Sequence, residues 1–112
     1  MKHKFEGKHW LATVREVDVS NNAYVKNVVE TALIQSGANI VGYNEYVFEN
    51  GALTCCFLLA ESHCTVHTYP ENRSLWLDCF TCGETFHVKK FSSIITSGFH
   101  SGFVESRIIT RR

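Results

Sequence analysis

Polar and apolar residues alternate with period two over residues 9 to 17. Trp10, Ala12 and Val14 fall on one side and Leu11, Thr13 and Arg15 on the other, which predicts a strand. Asp18, Ser20, Asn21 and Asn22 then offer N-cap side chains. Val25, Val28, Val29, Ala32 and Leu33 recur at helical spacing until Gly37 stops the run, so a helix with a core-facing stripe is expected here. Residues 39 to 48, rich in β-branched and aromatic side chains, read as a strand that ends in a turn at Glu49-Asn50-Gly51. Residues 52 to 60 are apolar on both faces, which predicts a central strand covered on both sides, by helices on one and a partner on the other. Alternation returns from His63 to Tyr69, with His63, Thr65, His67 and Tyr69 sharing one side. Pro70-Glu71-Asn72-Arg73 turns the chain, and residues 74 to 80 come back as the partner strand. Such a hairpin is expected to bring His67 towards Cys82. Residues 84 to 97 carry Val88, Phe91, Ile94 and Ile95 at helical spacing with Gly98 as the stop, although Ser92, Ser93 and Thr96 are poor helix formers. Residues 102 to 110 form a last strand. The order β-α-β-β-β-β-α-β specifies an α+β fold: a two-layer sandwich, mainly antiparallel sheet with two helices on one face.

Length and charge narrow the class. A chain of 112 residues supports one domain, spanning 1 to 112, small enough that a second copy laid on the sheet would help bury it. Eleven lysines and arginines balance eleven aspartates and glutamates, so no electrostatic footprint calls for nucleic acid or a membrane surface, and a small molecule or a protein is the expected partner. The apolar runs are too short to span a bilayer, and Met1-Lys2-His3-Lys4 is not followed by a signal-peptide core. A soluble, cytoplasmic protein is expected. Its five cysteines, two of them adjacent at Cys55-Cys56, are then expected as thiols rather than disulfides. One proline and no low-complexity segment leave no linker.

Reactive groups concentrate between Glu61 and Glu71 and again from Asp78 to Glu84. Cys79 and Cys82 form a CxxC, and His63, Cys64, His67 and His87 are further possible ligands, but a structural zinc site needs two such pairs and only one is present. Cys55, Cys56 and Cys64 read as small buried hydrophobes, and Cys79 as packing. Ser62 beside His63 and near His67 suggests a hydrolase nucleophile, yet Glu61-Ser62-His63 lacks the glycines of a nucleophile elbow. From residue types alone Ser62 remains open between a nucleophile and a hydrogen-bonded serine at a strand break.

Larger blocks carry more. Leu58-Leu59-Ala60-Glu61-Ser62-His63, then His67-Thr68-Tyr69-Pro70-Glu71, then Asp78 and Phe80-Thr81-Cys82-Gly83-Glu84 closely resemble the small prokaryotic class of S-adenosylmethionine decarboxylase. The spacing between blocks also matches without gaps, and a weaker likeness extends through Gly7-Lys8-His9 and Ser36-Gly37-Ala38. The resemblance implies a proenzyme. Ser62 attacks the carbonyl of Glu61, the amide becomes an ester, and β-elimination followed by hydrolysis leaves a pyruvoyl group at position 62, with chains 1 to 61 and 62 to 112. That covalent ketone, forming a Schiff base with the substrate amine, is the electron sink decarboxylation requires, so no separate cofactor and no metal are needed.

The resemblance assigns roles residue by residue. His67 moves the proton during processing, a task its near-neutral imidazole suits. Cys82 is the proton donor that quenches the carbanion, and Thr54 supports processing. Phe48 and Tyr69 stack the adenine near the sulfonium, and Glu71 holds the ribose hydroxyls. Tyr69 stands where tryptophan is common, Thr54 where serine is usual and Lys8 where arginine is usual, and the turn at residues 49 to 53 lacks the family's proline and glycine pattern. The implied product is the aminopropyl donor for spermidine synthesis, and the implied assembly is a homodimer with sheets packed face to face. Two other readings stand beside it: the same scaffold acting on arginine or ornithine, and a non-catalytic Cys/His metal-binding module.

Overall fold

The computed structural model describes residues 6–82 and 85–112. Six antiparallel strands form one sheet: β1 (Gly7–Arg15), β2 (Ile40–Val47), β3 (Leu53–Leu59), β4 (Ser62–Tyr69), β5 (Ser74–Thr81) and β6 (Phe103–Arg111). Their order across the sheet is β2-β3-β4-β5-β1-β6. Two helices, α1 (Asn22–Gln35) and α2 (Val88–Gly98), are the only long helices among the described residues. Gly83, Glu84 and the Met1-Lys2-His3-Lys4 start lie outside the described residues, and α2 starts later than expected, since residues 85–87 precede it without helical structure and His87 is its N-cap.

Local chemistry explains the helix bounds. The side chain of Asn21 accepts from the Tyr24 N–H at 3.0 Å, capping α1. Gly37, at φ +98°, takes the left-handed conformation that ends it. α2 ends at Gly98 as expected, but not through a left-handed glycine: a Cβ there would lie 2.4 Å from Val28 Cγ1, so the missing side chain lets α2 approach α1, and Phe99 is the cap residue.

One sheet face lies under the helices. Val25, Val28, Val29, Ala32 and Leu33 of α1 and Phe91 and Ile95 of α2 pack with Trp10, Val14, Leu53, Phe57, Val66, Leu75 and Leu77. Burying a side chain of this size is worth about 1.5–3 kcal/mol, so this face holds the fold together. The other face has no helix over it. β3 accordingly buries Leu53, Cys55, Phe57 and Leu59, while Leu58 on its opposite side is 53 % exposed. Within a single chain β3 is therefore covered on one side, the side the expectation gave to helices.

β4 and β5 form the expected hairpin, turned by a short 3-10 segment at Pro70–Asn72 and by Arg73 at φ 49°. Its register pairs His67 with Trp76, Thr65 with Asp78 and His63 with Phe80. As the alternation predicted, His63, Thr65, His67 and Tyr69 share the open face.

Candidate active site

The sequence-predicted residues collect at the two ends of β4. At its start, the Cys82 thiol donates to the Glu61 carbonyl at 2.9 Å, and the Cys82 backbone N–H donates to Ser62 Oγ at 3.2 Å. One residue thus grips both the carbonyl and the hydroxyl that flank the Glu61–Ser62 peptide bond. The thiol lies where it polarises that carbonyl and supports negative charge developing on its oxygen, while the N–H steadies charge on Oγ. Within a single chain Glu61 and Cys82 are exposed and Ser62 is half-buried.

At the far end of β4 the contacts are of another kind. Thr54 on β3 stands opposite His67, and its Oγ1 lies 2.6 Å from His67 Nδ1. A hydroxyl both donates and accepts, so it holds either tautomer and leaves Nε2 as the nitrogen for proton transfer. The imidazole and Phe48 meet in a T-shaped contact with ring centres 6.1 Å apart, and the imidazole stacks on Trp76 at 5.7 Å. Tyr69 stacks on the same indole at 5.8 Å. Tyr46, Phe48, Asn50, His67 and Tyr69 line an open cleft of about 550 Å³. Asn50 Nδ2 donates to Glu71 Oε1 at 2.9 Å, tying the Glu71 carboxylate to the rim of this cleft.

The hairpin does not bring His67 to Cys82. Because His67 faces Trp76 and His63 faces Phe80, residue 82 falls beside Glu61 and Ser62 at the opposite end of the strand. Ser62 and His67, five residues apart on an extended strand, are separated by roughly 17 Å.

The sequence profile of the family "S-adenosylmethionine decarboxylase" matches residues 8–112. The chain belongs to the S-adenosylmethionine decarboxylase family. An S-adenosylmethionine decarboxylase proenzyme of Symbiobacterium thermophilum is 35% identical over 88 residues, covering 76% of this chain and 67% of that protein. One from Methanococcus aeolicus is 36% identical over 87 residues, covering 75% of this chain and 73% of that protein. The crystal structure of the adenosylmethionine decarboxylase from Aquifex aeolicus shares the fold, with a TM-score of 0.82 at 23% identity over 96% of this chain and 91% of that chain.

The remaining thiols fall away from both ends of β4. Cys55, Cys64 and Cys79 are buried towards the helices, as small hydrophobes should be, whereas Cys56 is half-buried on the open face and Cys82 is exposed. Hydrogen bonding to Cys79 and complete burial push the Cys64 thiol well above the usual range, and burial raises Cys55, so both stay protonated. Cys79 and Cys82 lie on different sides of the sheet end, and among the described residues no three His, Cys, Asp or Glu side chains converge on a point. No helix among them is long and apolar enough to cross a membrane. Sequence reasoning missed Asn50, Tyr46 and Trp76. Trp76 was within reach by counting residues outward from the turn, because Tyr69 opposite Ser74 puts His67 opposite Trp76.

Proposed function

We propose that this chain is a self-cleaving, pyruvoyl-dependent S-adenosylmethionine decarboxylase that supplies the aminopropyl donor for spermidine synthesis in the cytoplasm. The observation that carries the reading is the grip of Cys82 on the Glu61–Ser62 bond, thiol to carbonyl and N–H to hydroxyl. Attack of Ser62 Oγ on the Glu61 carbonyl carbon forms an ester and frees the Ser62 amine. β-Elimination then releases the Glu61 carboxylate, leaving dehydroalanine, and water displaces ammonia to give the pyruvoyl group. The residues present fit that group: position 62 opens a strand, its carbonyl neighbour is already polarised, and Cys82 remains beside the new terminus as a proton donor. The ketone supplies the electron sink for loss of carbon dioxide from an amino acid.

Substrate recognition belongs to the other end of the strand. Phe48 and Tyr69 offer ring faces to an adenine and a sulfonium, and Glu71, oriented by Asn50, offers acceptors to ribose hydroxyls. A cleft lined by rings suits an adenosyl group better than a bare basic amino acid such as arginine or ornithine.

The separation of roughly 17 Å between Ser62 and His67 supports a homodimer. The open sheet face exposes Tyr46, Leu58, Trp76, Phe103 and Ile109, each 41 to 64 % accessible, apolar surface that a second copy laid on this face would bury. A two-fold axis through the middle of this face exchanges its ends and lays the His67 end of one protomer over the Ser62 end of the other. Each active site then takes its cleavage point from one chain and its imidazole and ring-lined cleft from the other.

Denaturing mass spectrometry of matured protein is expected to show two fragments, residues 1 to 61 and 62 to 112, the second without a free amino terminus. Borohydride added with S-adenosylmethionine is expected to leave a covalent adduct on the second fragment, and arginine or ornithine is expected to leave none. An intact chain after prolonged incubation would overturn the reading.

A further inference from the structure

The two tryptophans of this chain lie on opposite faces of the sheet and do different work. Trp10 is 2% exposed and meets Phe91 edge-on at 5.1 Å under the helices, where it is core. Trp76 is 43% exposed on the open face. There it stacks on His67, with ring planes 20° apart, and on Tyr69, with planes 26° apart. Among the described residues Trp76 supplies the one ring contact that Tyr69 makes. Both contacts are made within one chain, so burial of this face by a second copy does not account for them, and near-parallel stacking on two site residues calls for another explanation.

We propose that Trp76 is a positioning residue that sets the ring planes of His67 and Tyr69. This inference rests on the decarboxylase reading above and deepens it. His67 is held in its plane by Thr54 at Nδ1 and meets Phe48 in a T-shaped contact, and Trp76 lies over its face. Tyr69 stands at a position where the resemblance leads one to expect tryptophan, and the hairpin register sets an indole diagonally across from it. The smaller phenol ring is thereby backed by a larger one. A flat ligand ring or a sulfonium gains from an aromatic face only when that face is aimed at it. A flanking stack that fixes the phenol before the substrate arrives removes an ordering cost from binding. The same stack helps hold the imidazole in the orientation in which Thr54 occupies Nδ1 and leaves Nε2 for proton transfer.

The test uses the full chain bearing Trp76→Leu, Trp76→Phe, Tyr69→Leu, and Trp76→Leu combined with Tyr69→Leu. Loss of a stacking partner is expected to raise KM for S-adenosylmethionine by a factor of about 3 to 10 in Trp76→Leu, with kcat nearly unchanged, and to slow self-cleavage by a similar factor. Trp76→Phe is expected to recover most of both. In the Tyr69→Leu background the KM penalty of Trp76→Leu is expected to vanish, because the ring it positions is gone; a penalty undiminished there overturns the proposal. So does a wild-type KM in Trp76→Leu, or a Trp76→Leu protein that becomes monomeric by light scattering, which reassigns the indole to the subunit interface. Should Trp76→Leu not fold, the same comparison made with Trp76→Thr, which also removes the ring and suits an exposed strand position, decides the same question. A wild-type chain that neither cleaves nor decarboxylates removes the underlying reading instead, so the two failures are told apart by the wild-type control.

Discussion

The start and the end of β4 hold the two halves of this site, and they are built from different materials. At Ser62 the contacts run to the main chain: one carbonyl, one N–H and one thiol around a single peptide bond. At His67 they run between side chains: a hydroxyl on the imidazole, three further rings and an amide-tethered carboxylate. Main-chain contacts fix a bond to be broken, whereas side-chain contacts leave room for a ligand. The first end is suited to making an electrophile and the second to binding and moving protons. Neither end contains the other's groups, and an extended strand keeps them roughly 17 Å apart.

The largest test of that contrast is to divide it between two chains. In the proposed homodimer, chains carrying Ser62→Ala cannot form the electrophile and are expected to show neither cleavage nor turnover. His67→Ala homodimers lose a general acid/base and are expected to cleave about 10²- to 10⁴-fold more slowly. When both variants are co-expressed in equal amounts, half the dimers are mixed, and one of the two sites in each mixed dimer carries both Ser62 and His67. Cleavage of the His67→Ala chain and about a quarter of wild-type activity should return. A mixture as inactive as its components means that the two ends work within one chain, and the two-fold arrangement is wrong.

Cys82 gives a smaller, sharper effect at the first end only. Since its thiol donates to the Glu61 carbonyl, Cys82→Ala is expected to slow cleavage as well as turnover, by about 10²-fold for the lost oxyanion contact. Cys82→Ser keeps a donor at that position and should cleave nearly normally. Its turnover should still fall, because an alcohol is a far weaker acid than a thiol. Time courses of cleavage on denaturing gels, followed by turnover assays on the fully cleaved fraction, separate the two roles.

Much of this arrangement was legible because a strand has period two. His63, Thr65, His67 and Tyr69 could be placed on one face from their spacing, and the six strands and two helices followed from where that period changes. What local pattern could not convey is which residues meet across the sheet. The expectation that His67 nears Cys82 failed on hairpin register, which sends residue 82 to the Ser62 end. Gly98 does end α2, but the sequence does not convey why a glycine is needed there, which is the close approach of α2 to Val28. The apolar second side of β3 was legible as needing a cover, but periodicity does not say who provides it.

Thr54 provides the smallest and most local test, confined to the second end. Its hydroxyl, 2.6 Å from His67 Nδ1, is among the described residues the one hydrogen bond that fixes the imidazole about its ring axis, while Trp76 and Phe48 restrict the ring only through aromatic contacts. Thr54→Val keeps the shape and removes the bond. A side-chain hydrogen bond is worth about 1 kcal/mol net, so cleavage should slow by a factor of about 5 to 10. Thr54→Ser, which keeps the oxygen and loses a methyl group, should stay within about twofold of wild type by the same reasoning. Substrate KM should hardly move in either variant, because the ring faces that line the cleft are untouched. A Thr54→Val protein that cleaves at the wild-type rate shows that stacking alone orients His67, which would give Trp76 the larger share of that task.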